Sequence, residues 1–359
     1  MKVEDADVIV VGAGPAGIST AYHLNDSGLE VIVFERSYNP RSKPCAGLIQ
    51  AEALEDFPIL RNAPKISIEQ VIVTYDDNDY EVEFEEPIAY TIDRVSAGRR
   101  FVGRMDAELE LGVSVIDVRR EDDRRLVEVI RPDGERETYR SRYLVGADGA
   151  ISLIRRKLKL PEWIDDLTIG SAYQAKVSGY YEARLLLGKR APKGYAWVYP
   201  RPTGESVFGI GTLKRYSLGS RDRLFEILKL YDIETYEQQF GYVPLVGLVK
   251  ETSKDNALLV GDAAGQVQPI NGMGIYYALK AGRYAAEAIR KGEIERYEKS
   301  RRSDFGKELK LGRKALEKSL KSKTKRFSNR LARITAEILM GRVSARNLLK
   351  ARLILKLGL

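Results

Sequence analysis

Asp7-Val8-Ile9-Val10-Val11-Gly12-Ala13-Gly14-Pro15-Ala16-Gly17 is an apolar β run that feeds straight into a Gly-x-Gly-x-x-Gly turn. A second apolar run, Val31-Ile32-Val33-Phe34, ends on Glu35. Glycines at this spacing say little alone. Set between a strand and a helix, with a second strand ending in an acid about 20 residues on, they specify a dinucleotide-binding βαβ unit. Gly12 allows the tight turn, Gly14 lets a pyrophosphate approach the backbone, and Gly17 lets the helix pack close to the strand. The helix start around Ala13, Pro15 and Ala16 turns N–H groups and the positive end of its dipole toward the phosphates. Glu35 can accept hydrogen bonds from both hydroxyls of an adenosine ribose, which argues against a 2′-phosphate at this site.

Two later segments extend the reading. One is Tyr143-Leu144-Val145-Gly146-Ala147-Asp148-Gly149-Ala150; the other is Ala257-Leu258-Leu259-Val260-Gly261-Asp262-Ala263-Ala264-Gly265. The second runs on through Pro269 to Asn271-Gly272-Met273-Gly274-Ile275 and a helix expected to reach about Ile289. In this order the three segments resemble the FAD-dependent oxidoreductases of the p-hydroxybenzoate-hydroxylase-like group; NAD alone would explain only the first. The resemblance implies FAD as cofactor, with Asp148 and Gly149 closing its site and Gly261 and Asp262 at the ribityl chain. It also implies cofactor contacts at Arg36, Val118, Pro269, Gly272, Met273, Gly274 and Ile275. Asn271-Gly272-Met273-Gly274 has a physical reading too: two glycines at a helix start expose several N–H groups at the positive dipole end. In the resembled group this point faces the N1–C2=O edge of the flavin, where the reduced ring is negative, and each such bond contributes roughly 1.5–3 kcal/mol.

Composition narrows the classes. The length suits two domains and a small third segment. No apolar run approaches the ~18 residues of a membrane span. The opening Met1-Lys2-Val3-Glu4-Asp5-Ala6-Asp7 is too acidic for a signal peptide, so the expectation is a cytoplasmic protein, peripherally associated with a membrane. Cys45 is the only cysteine and His23 the only histidine. An internal disulfide and a cysteine metal cluster are excluded, and neither a histidine zinc site nor Ser-His-Asp chemistry is expected. His23, in the first helix, reads as structural.

The expected fold is an α/β Rossmann-like FAD-binding domain, an antiparallel-sheet α+β substrate domain and a helical C-terminal segment. The flavin domain should be discontinuous, with pieces at 1–65, 94–165 and 245–298. Strand-rich stretches at 66–93 and 166–244 should form the substrate or cap domain. Period-two alternation predicts strands over Ile68–Tyr75, Tyr80–Phe84, Tyr195–Tyr199 and Ser206–Leu213, assembled into an antiparallel sheet over the flavin ring.

Pro192-Lys193-Gly194-Tyr195-Ala196-Trp197-Val198-Tyr199-Pro200 points to a substrate. On a strand, Tyr195, Trp197 and Tyr199 share one face and form an apolar wall with hydroxyls at its edges, suited to a long hydrocarbon with π bonds. The segment matches Pro-x-x-Tyr-x-Trp-x-Phe-Pro, with tyrosine for phenylalanine. Lys43-Pro44-Cys45-Ala46-Gly47 is similar to Lys-Pro-Cys-Gly-Gly. On these motifs residues 1 to about 298 resemble the geranylgeranyl reductase family. The resemblance implies an isoprenoid pocket lined by Tyr195, Trp197, Tyr199 and Pro200. It also implies Cys45, Ala46 and Gly47 near the flavin, and Arg94 as a flavin contact. Ala46 and Leu48 depart from the family's glycine-rich run, and the helix after Asp93-Arg94 lacks the usual Phe-Asp pair.

The activity implied is FAD-dependent saturation of carbon–carbon double bonds in geranylgeranyl chains for membrane-lipid biosynthesis. A hydride goes to one carbon and a proton to the other, and Cys45, Tyr195 and Tyr199 are the acid candidates. No second nucleotide motif is visible, so the electron donor should dock transiently: NAD(P)H, a deazaflavin or a ferredoxin.

Residues 299–359 hold 19 Lys and Arg against 4 Asp and Glu, a net of +15; the whole chain carries +8, which leaves −7 for residues 1–298. Apolar residues recur at helical spacing at Leu331, Ile334 and Ile338 and cluster at Leu348, Leu349, Leu353, Ile354, Leu355 and Leu357. A basic amphipathic helix suits an anionic bilayer surface; a helical cap on the flavin domain comes next, and nucleic acid last. A flavin monooxygenase or halogenase and an RNA-binding flavoprotein are the competing functions.

Overall fold

The chain is described here by a computed structural model over residues 3–38, 44–161, 164–179, 181–234, 236–321 and 327–342. β1 (Val3–Val11), α1 (Pro15–His23) and β2 (Val31–Glu35) form the expected βαβ unit. Val8, Ile9, Val10 and Val33 are wholly buried, because both faces of this sheet are covered. The sheet runs β17 (Ser253–Lys254), β18 (Ala257–Leu259), β11 (Arg136–Gly146), β1, β2, β8 (Glu108–Leu111). From β18 to β8 every pairing is parallel. β9 (Ser114–Glu121) and β10 (Arg124–Ile130) add an antiparallel meander to the first half of β11. α6 (Ile275–Lys291) crosses α1 closely at Gly282, where a Cβ would stand 2.5 Å from the Ala16 carbonyl oxygen.

A second sheet has the order β16 (Glu237–Pro244), β12 (Ile169–Ser178), β15 (Glu205–Leu213), β14 (Gly194–Pro200), β13 (Arg184–Leu187), β5 (Gln70–Tyr75), β6 (Asn78–Glu83). It is antiparallel as expected except at β13–β5, which pair in parallel. One face packs Ala196, Val198, Phe208 and Ile210 under Leu224, Ile227 and Leu228 of α5 (Ser220–Leu230). The other face carries Tyr195, Trp197 and Tyr199.

A small third sheet, β3 (Leu48–Gln50), β7 (Ala89–Ile92) and β4 (Lys65–Ile68), stands between the two. It corrects the expectation of one strand over Ile68–Tyr75. Ile68 pairs with Ala89 in the third sheet and Gln70 pairs with Glu83 in the second, so the chain changes sheets at Glu69. The alternation continues through that change, which hides it from a pattern of period two.

The remaining helices are α2 (Glu52–Asp56), α3 (Arg94–Val102), α4 (Leu153–Lys157), α7 (Ile294–Arg301), α8 (Lys307–Ser319) and α9 (Asn329–Leu339). α9 brings a second correction. Leu331, Ile334 and Ile338, expected to face a bilayer, are buried with Ala315 of α8. The cluster from Leu348 to Leu357 lies outside the described residues, as does Lys43. Among the described residues no helix is long and apolar enough to cross a membrane.

Candidate functional site

The turn after β1 opens onto a cleft of about 500 Å³, its open mouth included, walled by Ala13, Gly14, Pro15, Ile18, Arg94 and Ile275 and by the apolar Ile49, Leu60, Ile92 and Phe101. The three motif glycines differ in what they make room for. A Cβ on Gly12, whose φ is +105°, would lie 2.4 Å from the Ala147 carbonyl oxygen. One on Gly17 would lie 1.9 Å from that of Gly12. One on Gly14 would meet nothing within 4 Å. Gly12 and Gly17 are therefore glycine for the fold, whereas the bareness of Gly14 serves only something that occupies the cleft. Gly14 is also the N-cap of α1, with extended backbone and no side-chain cap. The first N–H groups of α1 are thus left for an anion. Bare Gly14 and the uncapped start of α1 are what this cleft offers to a phosphate.

Glu35 is buried and its carboxylate is more occupied than the sequence suggested. It accepts the N–H of Ala13 at 2.8 Å and that of Ser37 at 3.0 Å. It therefore braces the glycine turn and keeps a further lone pair on each oxygen for a ribose. Arg36 next to it is exposed. Asp148 takes Ser152 Oγ at 2.6 Å and the Ile154 N–H at 3.1 Å, so its carboxylate anchors the start of α4; burial pushes its pKa up. It is the backbone of Ala147 and Asp148, ahead of Gly149 at φ +86°, that lies against Gly12. Val118 is buried on the other face of the parallel sheet, clustered with Ile9, Val11 and Phe34, so its side chain belongs to the core. His23 is a structural residue: its Nδ1 lies 2.7 Å from the Ser19 carbonyl oxygen, and burial lowers its pKa.

After β18 the chain turns at Gly261, where φ is +61° and a Cβ would stand 2.8 Å from Ala16 Cβ. Sequence reasoning missed the brace of this turn. The Gly261 N–H donates to Gln266 Oε1 at 2.6 Å, Gln266 Nε2 donates to Tyr297 Oη at 2.7 Å, and the Tyr297 hydroxyl donates to the Leu259 carbonyl at 2.5 Å. Burial pushes the Tyr297 phenol up to about 12. Asp262 comes to the start of α6, where a Cβ on Gly274 would lie 3.4 Å from its Oδ1. Pro269 is buried beneath Gly312 of α8. The expectation of open N–H groups along Asn271-Gly272-Met273-Gly274 needs correcting. The Gly272 N–H donates to the Gln268 carbonyl at 2.8 Å, and the Met273 N–H donates to Asn271 Oδ1 at 2.9 Å. The turn consumes these two donors to hold its own shape. Gly274 precedes α6 with no side-chain cap, so the helix's first N–H groups remain as the anion-stabilising end.

Tyr195, Trp197 and Tyr199 do share a face of β14, and the strand beside them is built for it. Trp197 is paired with Gly209 and Tyr195 with Gly211 on β15. A Cβ on Gly209 would stand 2.2 Å from the indole ring, so the ring lies flat over bare backbone. The Tyr195 and Trp197 rings are 5.5 Å apart at 50°. All three aromatics join one apolar cluster with Ala46, Leu48 and Met273, closed by Ala332, Ala336, Leu339 and Met340 at α9. The Tyr195 hydroxyl donates to the Asn271 carbonyl, and Asn271 Nδ2 donates to the Ile338 carbonyl at 2.9 Å. Burial holds both phenols above their ordinary 10.0, and the neighbouring Tyr195 adds to the rise at Tyr199. The Thr91 hydroxyl donates to the Pro200 carbonyl at 2.6 Å, joining β7 to β14. Pro44 abuts Gly241 of β16 with no room for a Cβ between them, and Gly47 sits at φ +77° against Ile92. Cys45, between them, is half-buried and its Sγ receives the Gly47 N–H at 3.4 Å. The Pro44–Gly47 loop thus crosses the aromatic face of the second sheet and reaches the third.

Residues 7–64 match the FAD dependent oxidoreductase family. The chain is 34% identical to digeranylgeranylglycerophospholipid reductase 1 of Methanopyrus kandleri, over 78% of this chain and 79% of that one. It is 30% identical to the menaquinone reductase of Mycobacterium tuberculosis, over 82% and 79% respectively. Its fold is that of a geranylgeranyl bacteriochlorophyll reductase-like protein from Thermoplasma acidophilum, with a TM-score of 0.84, 21% identity and coverage of 98% of this chain and 96% of the other.

Proposed function

The chain belongs to the geranylgeranyl reductase family of FAD-dependent oxidoreductases, and on that premise we propose that it saturates carbon–carbon double bonds of geranylgeranyl chains during membrane-lipid synthesis. The observation that carries the reading is the single apolar cluster joining Tyr195, Trp197 and Tyr199 to Met273 of the flavin-side turn and Ala46 of the cysteine loop. An uncharged, water-excluding wall at that place suits a hydrocarbon, and a polyprenyl chain is a hydrocarbon with π bonds to lie against rings.

FAD, when bound and reduced, supplies the hydride. Gly14 and the start of α1 hold its phosphates, Glu35 its ribose, Arg94 and Ile275 the cleft wall, and Asp262 with Gly274 the approach to α6. Tyr195 shapes the pocket, since its hydroxyl is committed to the Asn271 carbonyl. Tyr199 has a hydroxyl without a protein partner among the described residues, and Cys45 brings a thiol on the loop above. These two are the proton-donor candidates for the second carbon. The electron donor docks transiently: NAD(P)H, a deazaflavin or a ferredoxin. The −7 body and the basic end support peripheral contact with an anionic membrane through residues beyond 342, because the apolar face of α9 is already used inside the protein.

The menaquinone reductase relative favours a second reading, a quinone with a polyprenyl tail as substrate. Anaerobic incubation of chemically reduced protein with a geranylgeranyl phospholipid, and separately with menaquinone, discriminates by mass spectrometry of the products. A phospholipid that gains pairs of hydrogens supports the first reading. Hydrogenation confined to menaquinone supports the second. A requirement for oxygen would sink both in favour of a monooxygenase.

A further inference from the structure

A group of acids lies where α2, α6 and α8 meet. Asp304, in the π-turn Arg302–Gly306, holds Lys280 Nζ at 2.8 Å and the Tyr284 hydroxyl at 2.9 Å. Asp56 of α2 accepts the Tyr276 hydroxyl at 2.5 Å and lies 3.6 Å from the same ammonium. Lys280 is thereby shared by two carboxylates. Glu308, the third acid, is half-buried, and among the described residues it forms no ion pair. Its partner is a phenol: the Tyr277 hydroxyl donates to Glu308 Oε2 at 3.0 Å. Burial raises the pKa of this carboxyl, Asp304 and Glu52 of α2 add to the rise, and Tyr277 and Lys280 oppose it.

Tyr277 joins this acid to the flavin side. It is the third residue of α6, so its N–H belongs to the uncapped first turn that attracts an anion, while its buried hydroxyl reaches α8. The same phenol meets the amide of Gln268, a wholly buried residue. The Gln268 carbonyl takes the Gly272 N–H at 2.8 Å, and its N–H donates to the Met273 carbonyl at 3.0 Å. α8 makes room for the amide, since a Cβ on Gly312 would stand 1.6 Å from Gln268 Oε1. Yet Oε1 has no hydrogen-bond partner among the described residues. A buried amide oxygen is rarely left so. With Glu308 ionised, the Tyr277 hydrogen is spent on the carboxylate. A protonated Glu308 donates to the phenol oxygen and releases that hydrogen for Gln268 Oε1. A second protonation state thus explains the unfilled acceptor.

We propose that Glu308 is a redox-linked proton acceptor: negative charge arriving with electrons at the start of α6 makes this carboxylate take a proton from water, and Tyr277 and Gln268 carry the compensation to the turn. Such coupling is reciprocal, so the proton in turn favours the electrons. The step balances. Two electrons and one proton enter FAD and leave it one negative charge; one proton from water turns the Glu308 carboxylate into a carboxylic acid. When the hydride leaves, Glu308 returns its proton. This rests on FAD at the turn and not on which alkene is reduced.

The test is an anaerobic potential titration of the FAD-loaded full chain from about pH 6 to 9, with an electrode and mediators as the electron source. Over the interval in which Glu308 gains its proton, the wild-type flavin midpoint should fall about twice as steeply with pH as that of Glu308→Gln, where only the ring's proton remains. The reduced-minus-oxidised infrared spectrum should gain a carboxylic-acid carbonyl band that Glu308→Gln removes. Glu308→Asp should keep an extra proton uptake at a displaced pH, and it decides the matter if the glutamine variant loses flavin. Asp304→Asn removes a charge that raises Glu308, so its steep interval should move to lower pH. A role confined to packing would change flavin content or thermal midpoint and leave the slope alone. A shallow wild-type slope throughout, without the band, overturns the inference, as does a steep slope or a band that survives Glu308→Gln. Either result leaves FAD binding and the isoprenoid reading standing. Protein that takes up no FAD overturns the flavin site itself.

Discussion

A glycine that no protein atom requires is the sharpest single-residue statement about the cofactor. Gly14→Ala should leave the thermal midpoint of the flavin-free protein within a degree or two while weakening FAD at least about tenfold, because the added methyl projects only into the cleft. Gly12→Ala and Gly17→Ala should instead prevent folding, since their Cβ atoms would overlap backbone. Differential scanning fluorimetry with and without FAD separates the cases, and a destabilised apo Gly14→Ala would refute the distinction. Glu35→Gln should weaken FAD by about 1–3 kcal/mol, part of it through the lost brace on Ala13. The tyrosines predict a pH profile. Burial disfavours both phenolates, so both pKa values rise above 10.0 and both side chains stay protonated as pH climbs to that value. The pH–rate curve of the hydrogenation should show no break from tyrosine ionisation below about pH 10. A break there that vanishes in Tyr199→Phe would contradict the assigned burial.

At the scale of elements, the wall depends on its neighbour as much as on its rings. Gly209→Val should push Trp197 off β15, keep the flavin and reduce turnover of long prenyl chains by at least about tenfold; a wild-type rate with intact flavin content would remove the indole from the substrate path. These glycines escaped the sequence reading because Trp197–Gly209 and Tyr195–Gly211 are cross-strand pairs, and a strand's own pattern carries no mark of its partner's register. By contrast, the βαβ unit was legible in full, because Gly12 and Gly17 answer to contacts within the turn or with Ala147, and Gly14 opens only onto the cleft. Arg94, Ile275 and the Pro44–Gly47 loop were reachable through motifs. Ile49, Leu60, Ile92 and Phe101 in the cleft were not, since an apolar residue reads the same whether it lines a cofactor or fills a core. The same ambiguity misdirected α9. A helix with one apolar face announces that the face is covered, and covering by α8 leaves the same pattern as covering by lipid.

For the whole molecule, the packing of α8 and α9 makes two truncations of the basic end diverge. Removal of residues 343–359 should leave folding and FAD content intact and abolish retention on anionic liposomes, and salt raised from about 0.05 to 0.5 M should release the intact protein as the Debye length shrinks to a few ångströms. Removal of residues 299–359 should give aggregated or flavin-poor protein, because α8 and α9 bury Leu309, Leu316, Ile334 and Ile338. Stable flavoprotein from the longer deletion would show the helices to be dispensable. The tie between Asn271 and the Ile338 carbonyl has a consequence in time as well as in space. A chain is made from its N-terminus, and its units fold as they emerge. Here Trp197 and its neighbours leave the ribosome well over a hundred residues before the helix that covers them. Throughout that interval the wall is an exposed apolar surface, a natural hold for a chaperone.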